Sequence, residues 1–131
     1  MNPLIHELFQ KSRFLSNEVN NTLNQHGLYA SQWSVLYCIQ LHEEMTLTQI
    51  WKYLNVEAPT ITRTVTRLSE LGWVEIRPGK DRREKNVRLT EQALQDFPAI
   101  KESMIEFEDR MVSNLSSEEE ILLIKLLQKI K

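Results

Sequence analysis

Residues 72–90 of the chain have the sequence GWVEIRPGKDRREKNVRLT. Two short runs in which apolar and polar residues alternate, 73–77 and 85–89, lie on either side of a loop that contains Pro78 and Gly79. This pattern is typical of an antiparallel β-hairpin. The nineteen residues include six Lys/Arg and three Asp/Glu. The stretch therefore predicts a short hairpin that carries a basic loop.

The residues before the hairpin predict two helices joined by a tight turn. Thr46 and Gln49 have the spacing of a capping box, which opens a short helix. A second helix follows, and its inward face is predicted to comprise Ile61, Val65, Leu68 and Leu71. Gly72 suits the position just after that helix. A short helix, a turn, a helix and a hairpin form a winged helix-turn-helix within residues 46–89.

The outward face of the second helix is the predicted DNA-reading surface, because this helix of the motif lies in the major groove. The outward positions are Pro59, Thr60, Thr62, Arg63, Thr66 and Arg67. Arg63 is the best candidate for a bidentate contact with guanine, and threonine methyl groups suit the thymine methyl. Alternatively, these residues are only the solvated face of a helix. The lack of acidic residues between Glu57 and Glu70 favours DNA binding.

The hairpin tip is the second predicted DNA-binding surface. Its candidate residues are Lys80, Asp81, Arg82, Arg83 and Lys85. The guanidinium of Arg83 suits a narrow, A·T-rich minor groove, and Asp81 is expected to orient that guanidinium. Residues 58–90 contain eight Lys/Arg and four Asp/Glu, although the whole chain has a net charge of -2. Such a basic segment predicts an anionic partner, unless the hairpin is merely solvated.

The rest of the chain predicts more helices. One long amphipathic helix should run from Pro3 to about Gln25, with Leu4, Leu8, Leu15, Val19 and Leu23 on one stripe. Gly27 is expected to end it, and Ser31 to cap an apolar central helix, QWSVLYCIQLH. Thr90 should cap another long helix, in which Pro98 predicts either a kink or a tightly bound start. Its predicted inward stripe is Leu94, Phe97, Met104, Phe107, Met111 and Leu115.

The C-terminal segment predicts an oligomer. Ser116 and Glu119 have capping-box spacing, and the apolar sequence ILLIKLLQKI follows. A small domain rarely leaves such a stripe in water, so we expect a homodimer; the alternative is that this helix folds back on its own core. The expected organisation is a single domain, residues 1–131. About 1–28 and 91–131 are its dimerisation helices, and about 31–90 are its DNA-binding part.

Composition and motifs exclude other classes. A hydrophobic content of 41% and a charged content of 26% are ordinary for a globular protein. No apolar run approaches the ~20 residues that span a bilayer. The N-terminus lacks the apolar region of a signal peptide, and a lone cysteine fits a reducing compartment, so we expect a cytoplasmic protein. There is no G-x-S-x-G, glycine-rich phosphate loop or H-E-x-x-H, so neither enzyme activity nor a cofactor is predicted.

The hairpin and the helix before it resemble one family. DRREKNVRLT matches the D-x-R-x(5)-L-T wing signature of MarR-type (multiple antibiotic resistance) transcriptional regulators, through Asp81, Arg83, Leu89 and Thr90. APTITRTVTRLSELGWVE is similar to their recognition helix, and LYASQWSVLYCI to their second helix. The resemblance covers the whole chain and implies a dimeric winged-helix regulator, a repressor or an activator. Glu57 departs from the serine common at its position.

The resemblance also implies a sensory role, for which the sequence offers one candidate site. Cys38 lies in an apolar helix without a neighbouring Lys or Arg, and the histidines are scattered, so neither a redox site nor a metal site is predicted. The pairs Phe9/Arg13 and Trp33/Tyr37 are each spaced i, i+4. They predict an aromatic pocket with one cation, which suits a small aromatic or anionic effector; the alternative is that they are core residues.

The sequence leaves one alternative function open, a winged-helix module for protein–protein assembly without specific DNA binding. Such a module would not need the basic tip, and its binding would survive the substitution Arg83→Ala. A DNA-binding protein should show a steep salt dependence, because neutralised phosphates release counterions.

Overall fold

The computed structural model describes all residues from Met1 to Lys131. Its elements, in chain order, are α1 (Pro3–Asn24), α2 (Ala30–His42), β1 (Met45–Thr46), α3 (Leu47–Leu54), α4 (Ala58–Glu70), β2 (Val74–Pro78), β3 (Lys85–Leu89), α5 (Glu91–Met111) and α6 (Ser117–Gln128). This arrangement confirms the predicted fold class, mainly helical with a small antiparallel wing. None of the helices has both the length and the apolar composition needed to cross a membrane.

The wing is a three-stranded antiparallel sheet in the order β1-β3-β2. The predicted antiparallel hairpin is formed by β2 and β3, in which Val74 pairs with Leu89 and Ile76 with Val87. Met45 of β1 adds a third strand beside Val87; two residues are too short to show a period, so the sequence did not predict it. Val74, Val87 and Leu89 are buried. Ile76, which lies on the same side of β2 as Val74, is 37% exposed.

The core is centred on α2, as predicted. Val35, Leu36, Cys38 and Ile39 of this helix are buried. Every other element except α6 contributes to the same cluster of buried apolar residues. The indole ring of Trp33 stacks on Phe97 of α5, with 4.9 Å between the ring centroids.

The predicted stripe of α5 is partly wrong. Leu94 and Leu115 are exposed, whereas Ala93 and Ile100 are buried beside Phe97. Alanine is a weaker apolar signal than leucine, so the sequence pattern predicted that the buried stripe starts at Leu94, one residue after Ala93. The helix continues through Pro98 to Met111.

Most predicted helix ends are confirmed. The capping boxes of Thr46 and Ser116 are formed, and the hydroxyl of Thr90 accepts a hydrogen bond from the Ala93 N–H. After α1, the N–H of Leu28 donates to the carbonyl of Leu23 (3.1 Å) around Gly27, which has a φ of 74°. This is the hydrogen bond of a glycine-terminated helix.

Ser31 does not cap α2, because the helix begins at Ala30, two residues before the start that a cap at Ser31 would give. Tyr29 is the residue before the helix, and its N–H donates to Gln32 Oε1 (2.9 Å). The N–H of Ala30 donates to Asn20 Oδ1 (2.8 Å), a side chain of α1. One acceptor at the start of α2 therefore lies ten residues earlier in the chain, where no local sequence pattern could have identified it.

Two helices leave apolar side chains uncovered within one chain. Only Leu23 of α1 is buried, and α6 has no buried residue. The exposed large apolar residues of these helices are Leu4, Phe9, Phe14, Leu15, Ile121, Leu122, Leu123, Ile124, Leu126 and Leu127. The predicted stripe of α1 therefore meets the core only at its C-terminal end.

Candidate nucleic-acid interface

The helix α4 presents one apolar face to the core and one polar face to solvent. Ile61, Val65 and Leu68 are buried, as predicted. Leu71 is 45% exposed, because the helix ends at Glu70 and Leu71 is its C-terminal cap. The six predicted contact residues are all exposed: Pro59, Thr60, Thr62, Arg63, Thr66 and Arg67.

The threonine hydroxyls of α4 are bonded to the helix itself. The Oγ1 atoms of Thr62, Thr64 and Thr66 donate to the carbonyl groups four residues earlier, over 3.0, 2.9 and 2.7 Å. Such bonds hold each side chain in one rotamer and leave the hydroxyl oxygen free to accept a further bond. The face is therefore ordered before any partner arrives.

Arg63 and Arg67 differ in their pairing. Arg67 Nη1 lies 3.2 Å from Glu70 Oε2. Arg63 has no carboxylate partner, and its Nη2 makes only a long contact of 3.5 Å with Thr60 Oγ1. Arg63 is thus the cation of α4 that is free to bind a base edge or a phosphate.

The wing turn is closed by its main chain. The N–H of Gly79 donates to the carbonyl of Glu84 (2.9 Å), and the N–H of Glu84 donates to the carbonyl of Asp81 (2.9 Å). A Cβ atom on residue 79 would lie 2.7 Å from the Cβ of Glu84, so this close approach requires glycine. The turn holds residues 80–83 outside the sheet.

Asp81 acts on the main chain of Arg83 and not on its guanidinium. Asp81 Oδ1 accepts a hydrogen bond from the N–H of Arg83 over 3.1 Å, and Asp81 takes part in none of the ion pairs. The predicted contact with the side chain is therefore replaced by a local turn contact, for which aspartate is well suited.

Positive charge is neutralised at the base of the wing and free at its tip. Glu75 Oε2 lies 3.2 Å from Arg77 Nη2 and 3.1 Å from Arg88 Nε. The cations of the tip form no ion pair, since no carboxylate oxygen lies within 4.0 Å of their nitrogen atoms. These cations are Lys80, Arg82, Arg83 and Lys85. The free cations of the interface are thus concentrated at the wing tip and at Arg63.

Comparison with known proteins decides the family. A family model described as MarR family matches residues 28–85. Over 116 residues the chain is 47% identical to the uncharacterised HTH-type transcriptional regulator YwoH of Bacillus subtilis (strain 168), covering 88% of this chain and 85% of that protein. The chain belongs to the MarR family. It is therefore a transcriptional regulator and not an enzyme, as the absence of catalytic motifs predicted.

Solved structures agree with the assignment to the MarR family. A mutant of MarR from E. coli complexed with operator DNA superimposes with a TM-score of 0.85 at 29% identity, over 97% of this chain and 90% of that chain. Overoxidised AbfR bound to DNA gives a TM-score of 0.78 at 26% identity, over 98% and 90%. Both neighbours were solved on DNA with the fold described above.

This MarR-family protein also has a cleft of about 370 Å³ between α2, α3 and α5. Trp33 and Tyr37, two of the four predicted pocket residues, line it, but Phe9 and Arg13 lie on α1 and do not. The lining residues of α3 and α5, which the sequence did not place in the pocket, are Tyr53, Leu54, Lys101, Met104, Ile105 and Glu108. Because they belong to separate helices, no local spacing could have grouped them.

Cys38 is a buried residue that lines this cleft. Burial raises the pKa of its thiol to about 11, and Sγ donates to the carbonyl of Val35 over 3.2 Å. A thiol with so high a pKa is a poor nucleophile at neutral pH. The histidines are engaged separately: His26 Nε2 lies 3.0 Å from Ser103 Oγ, and His42 Nδ1 lies 2.8 Å from the carbonyl of Cys38. No three His, Cys, Asp or Glu side chains are grouped as metal ligands.

Proposed function

We propose that this MarR-family protein is a cytoplasmic repressor that binds a pseudo-palindromic operator as a homodimer. One observation carries the proposal: the free cations of the interface lie at Arg63 and at the tip of the wing, on the outer surface of a pre-ordered helix and hairpin. Duplex DNA is the partner whose grooves and phosphates match such a surface.

The homodimer is supported by the uncovered apolar residues of α1 and α6. A monomer that exposed this much apolar surface would aggregate or bind a partner, and a two-fold dimer covers the same patch on both copies at once. We therefore assign residues 1–28 and 91–131 to dimerisation and residues 31–90 to DNA binding. The buried residues of α5 also tie that helix to the core of its own chain.

A two-fold dimer places two copies of α4 in successive major grooves, about 34 Å apart. The wing tip then meets the adjacent minor groove or its phosphates, where Arg83 is the main contact. The contact residues are proposed to be Pro59, Thr60, Thr62, Arg63, Thr66 and Arg67 of α4, with Lys80, Arg82, Arg83 and Lys85 of the wing. Asp81 supports the turn. Two related proteins of the same fold were solved on DNA, which favours this assignment.

A small aromatic acid is the proposed effector that releases the repressor. The cleft combines the aromatic rings of Trp33, Tyr37 and Tyr53 with one ammonium group, that of Lys101. Apolar walls with a few polar groups are the usual composition of a ligand site. Since α2, α3 and α5 all line the cleft, a bound ligand would change how the helix-turn-helix is held against the dimerisation helices.

The test is selection of bound duplexes from a randomised DNA pool at two salt concentrations, with the solution mass recorded alongside. Recovery of an inverted repeat by a dimer supports the proposal, and the affinity should fall steeply with salt. Recovery of no sequence, with and without aromatic acids present, would contradict it. That result would favour a winged-helix module for protein–protein assembly.

A further inference from the structure

We infer that Glu57 is a specificity-determining residue of the operator complex, which accepts a hydrogen bond from a cytosine amino group. The inference rests on the proposed DNA binding. Glu57 immediately precedes α4, where a carboxylate next to phosphates would otherwise only weaken binding.

The carboxylate of Glu57 is released from its usual structural role. An acidic side chain before a helix normally accepts a hydrogen bond from the second or third N–H of the helix. Here the second helical residue is Pro59, which has no N–H. The third N–H, that of Thr60, donates to the main-chain carbonyl of Glu57 over 3.1 Å. Accordingly, the Glu57 side chain makes no capping bond.

No cation neutralises this carboxylate either. The three ion pairs of the chain use Glu70 and Glu75, and Glu57 is in none of them. Lys52 lies nearby across the turn between α3 and α4, in a shallow groove that both residues line. Its Nζ sits 5.6 Å from the centre of the Trp51 ring and is not paired with Glu57. Glu57 is exposed and has an unoccupied acceptor group.

Its position matches that of a base-reading residue. Thr60 and Arg63 follow one ridge of α4, and Glu57, three residues before Thr60, is the residue that immediately precedes the helix. The residues at the N-terminal end of a recognition helix are those that contact base edges. A carboxylate accepts from the N4 amino group of cytosine in the major groove, whereas the N6 amino group of adenine lies beside the N7 acceptor, which repels a carboxylate. Arg63 suits guanine, so Arg63 and Glu57 together can recognise the guanine and the cytosine of C·G pairs.

The experiment compares the duplexes selected by the full-length protein and by its variants Glu57→Gln and Glu57→Ala. A glutamine side chain can both donate and accept, so it suits adenine. We expect the wild type to prefer cytosine at one position of each half-site by roughly tenfold. Glu57→Gln should move that preference to adenine, and Glu57→Ala should abolish it. Both variants should bind non-operator DNA more tightly than the wild type, because a negative charge is removed.

Glu70→Gln is the matched control, since Glu70 is an exposed carboxylate on the same helix that is already paired with Arg67. It frees Arg67, a proposed DNA contact, so the overall affinity should rise, but the preference for cytosine should be the same as in the wild type. If Glu57→Gln and Glu57→Ala select the same operator as the wild type, the carboxylate only repels phosphates and the inference is wrong. If the wild type itself selects no sequence, the proposed function fails first, and the inference fails with it. Thermal unfolding of each variant, followed by circular dichroism, verifies that the fold is retained.

Discussion

The carboxylate of Asp81 accepts a hydrogen bond from the main-chain N–H of Arg83 over 3.1 Å. The guanidinium of Arg83 has no ion-pair partner and is free to leave the wing surface. The acidic residue in this basic loop therefore fixes the direction in which the chain presents Arg83, without neutralising its charge.

Replacing Asp81 by alanine or asparagine separates these two roles. Asp81→Ala removes both a negative charge and the acceptor, so its loss of the hydrogen bond, worth about 1 kcal/mol, is measured against a variant that has lost only the charge. Asp81→Asn has the same charge as the alanine variant but keeps the acceptor oxygen, so it should bind more tightly than Asp81→Ala. A salt-controlled DNA titration measures the difference. Equal affinities for the two variants would mean that the hydrogen bond to the Arg83 N–H is unimportant.

Arg83 and Arg63 are expected to contribute in different ways. Arg83→Ala should weaken binding to all sequences and reduce the slope of affinity against salt by about 0.9, the value for one phosphate contact. Arg63→Ala should cost about 1–3 kcal/mol at a single base position and relax the preference there. Duplex selection with each variant tests whether the two arginines have these different roles. The assignment of roles is wrong if the two variants give the same specificity profile.

The winged helix-turn-helix was predictable because its signals are local. The capping box of Thr46, the glycine after α4 and the alternation of Val87 and Leu89 each act within a few residues, and each is found in the structure. The cap of α2 was not predictable, since its acceptor, Asn20, belongs to another helix. Likewise, Lys101 enters the cleft only because α5 packs beside α2 and α3.

The site was predictable in composition but not in contacts. The exposed residues of α4 follow from helical periodicity alone, and all six are exposed as expected. The pairing of Glu75 with both Arg77 and Arg88 depends on strand register, which brings Glu75 opposite Arg88. Charge counting therefore could not show which of the cations are neutralised.

Substitution of Leu126 tests the dimer. This residue of α6 is 48% exposed within one chain, so Leu126→Glu should leave the helical content unchanged while it destabilises an interface that covers α6. Analytical ultracentrifugation should give a mass near 15.5 kDa for the variant and about twice that for the wild type. Lys125→Glu introduces the same side chain at an already charged position of the same helix and is the control. A wild-type monomer, or a Leu126→Glu variant as dimeric as the wild type, would contradict the proposed interface.

Lys101 and Arg13 are alternative cations for an acidic effector. Lys101 lines the cleft that contains Trp33, whereas Arg13 does not. Salicylate-like acids should therefore quench tryptophan fluorescence in a saturable way. Lys101→Met should weaken that binding by about 2 kcal/mol, in the range for a hydrogen bond to a charged group. Arg13→Met, which removes the same charge from α1, should have no effect. The assignment of the cleft is overturned if the effects of the two variants are reversed, and the effector proposal fails if the wild type gives no saturable change.

Cys38 is expected to be unreactive in the folded protein. Burial raises the pKa of its thiol to about 11, from a value of 9.0 for an exposed group, so almost no thiolate exists at neutral pH. Because folding favours the neutral thiol, this group's contribution to stability is complete below pH 9 and is lost between about pH 9 and 11. A thiol reagent such as iodoacetamide should modify the native chain at neutral pH far more slowly than the chain in denaturant, with mass spectrometry as the readout. Stoichiometric labelling of the native protein within minutes would instead indicate an accessible, activated cysteine, and with it a redox-sensing role for the cleft.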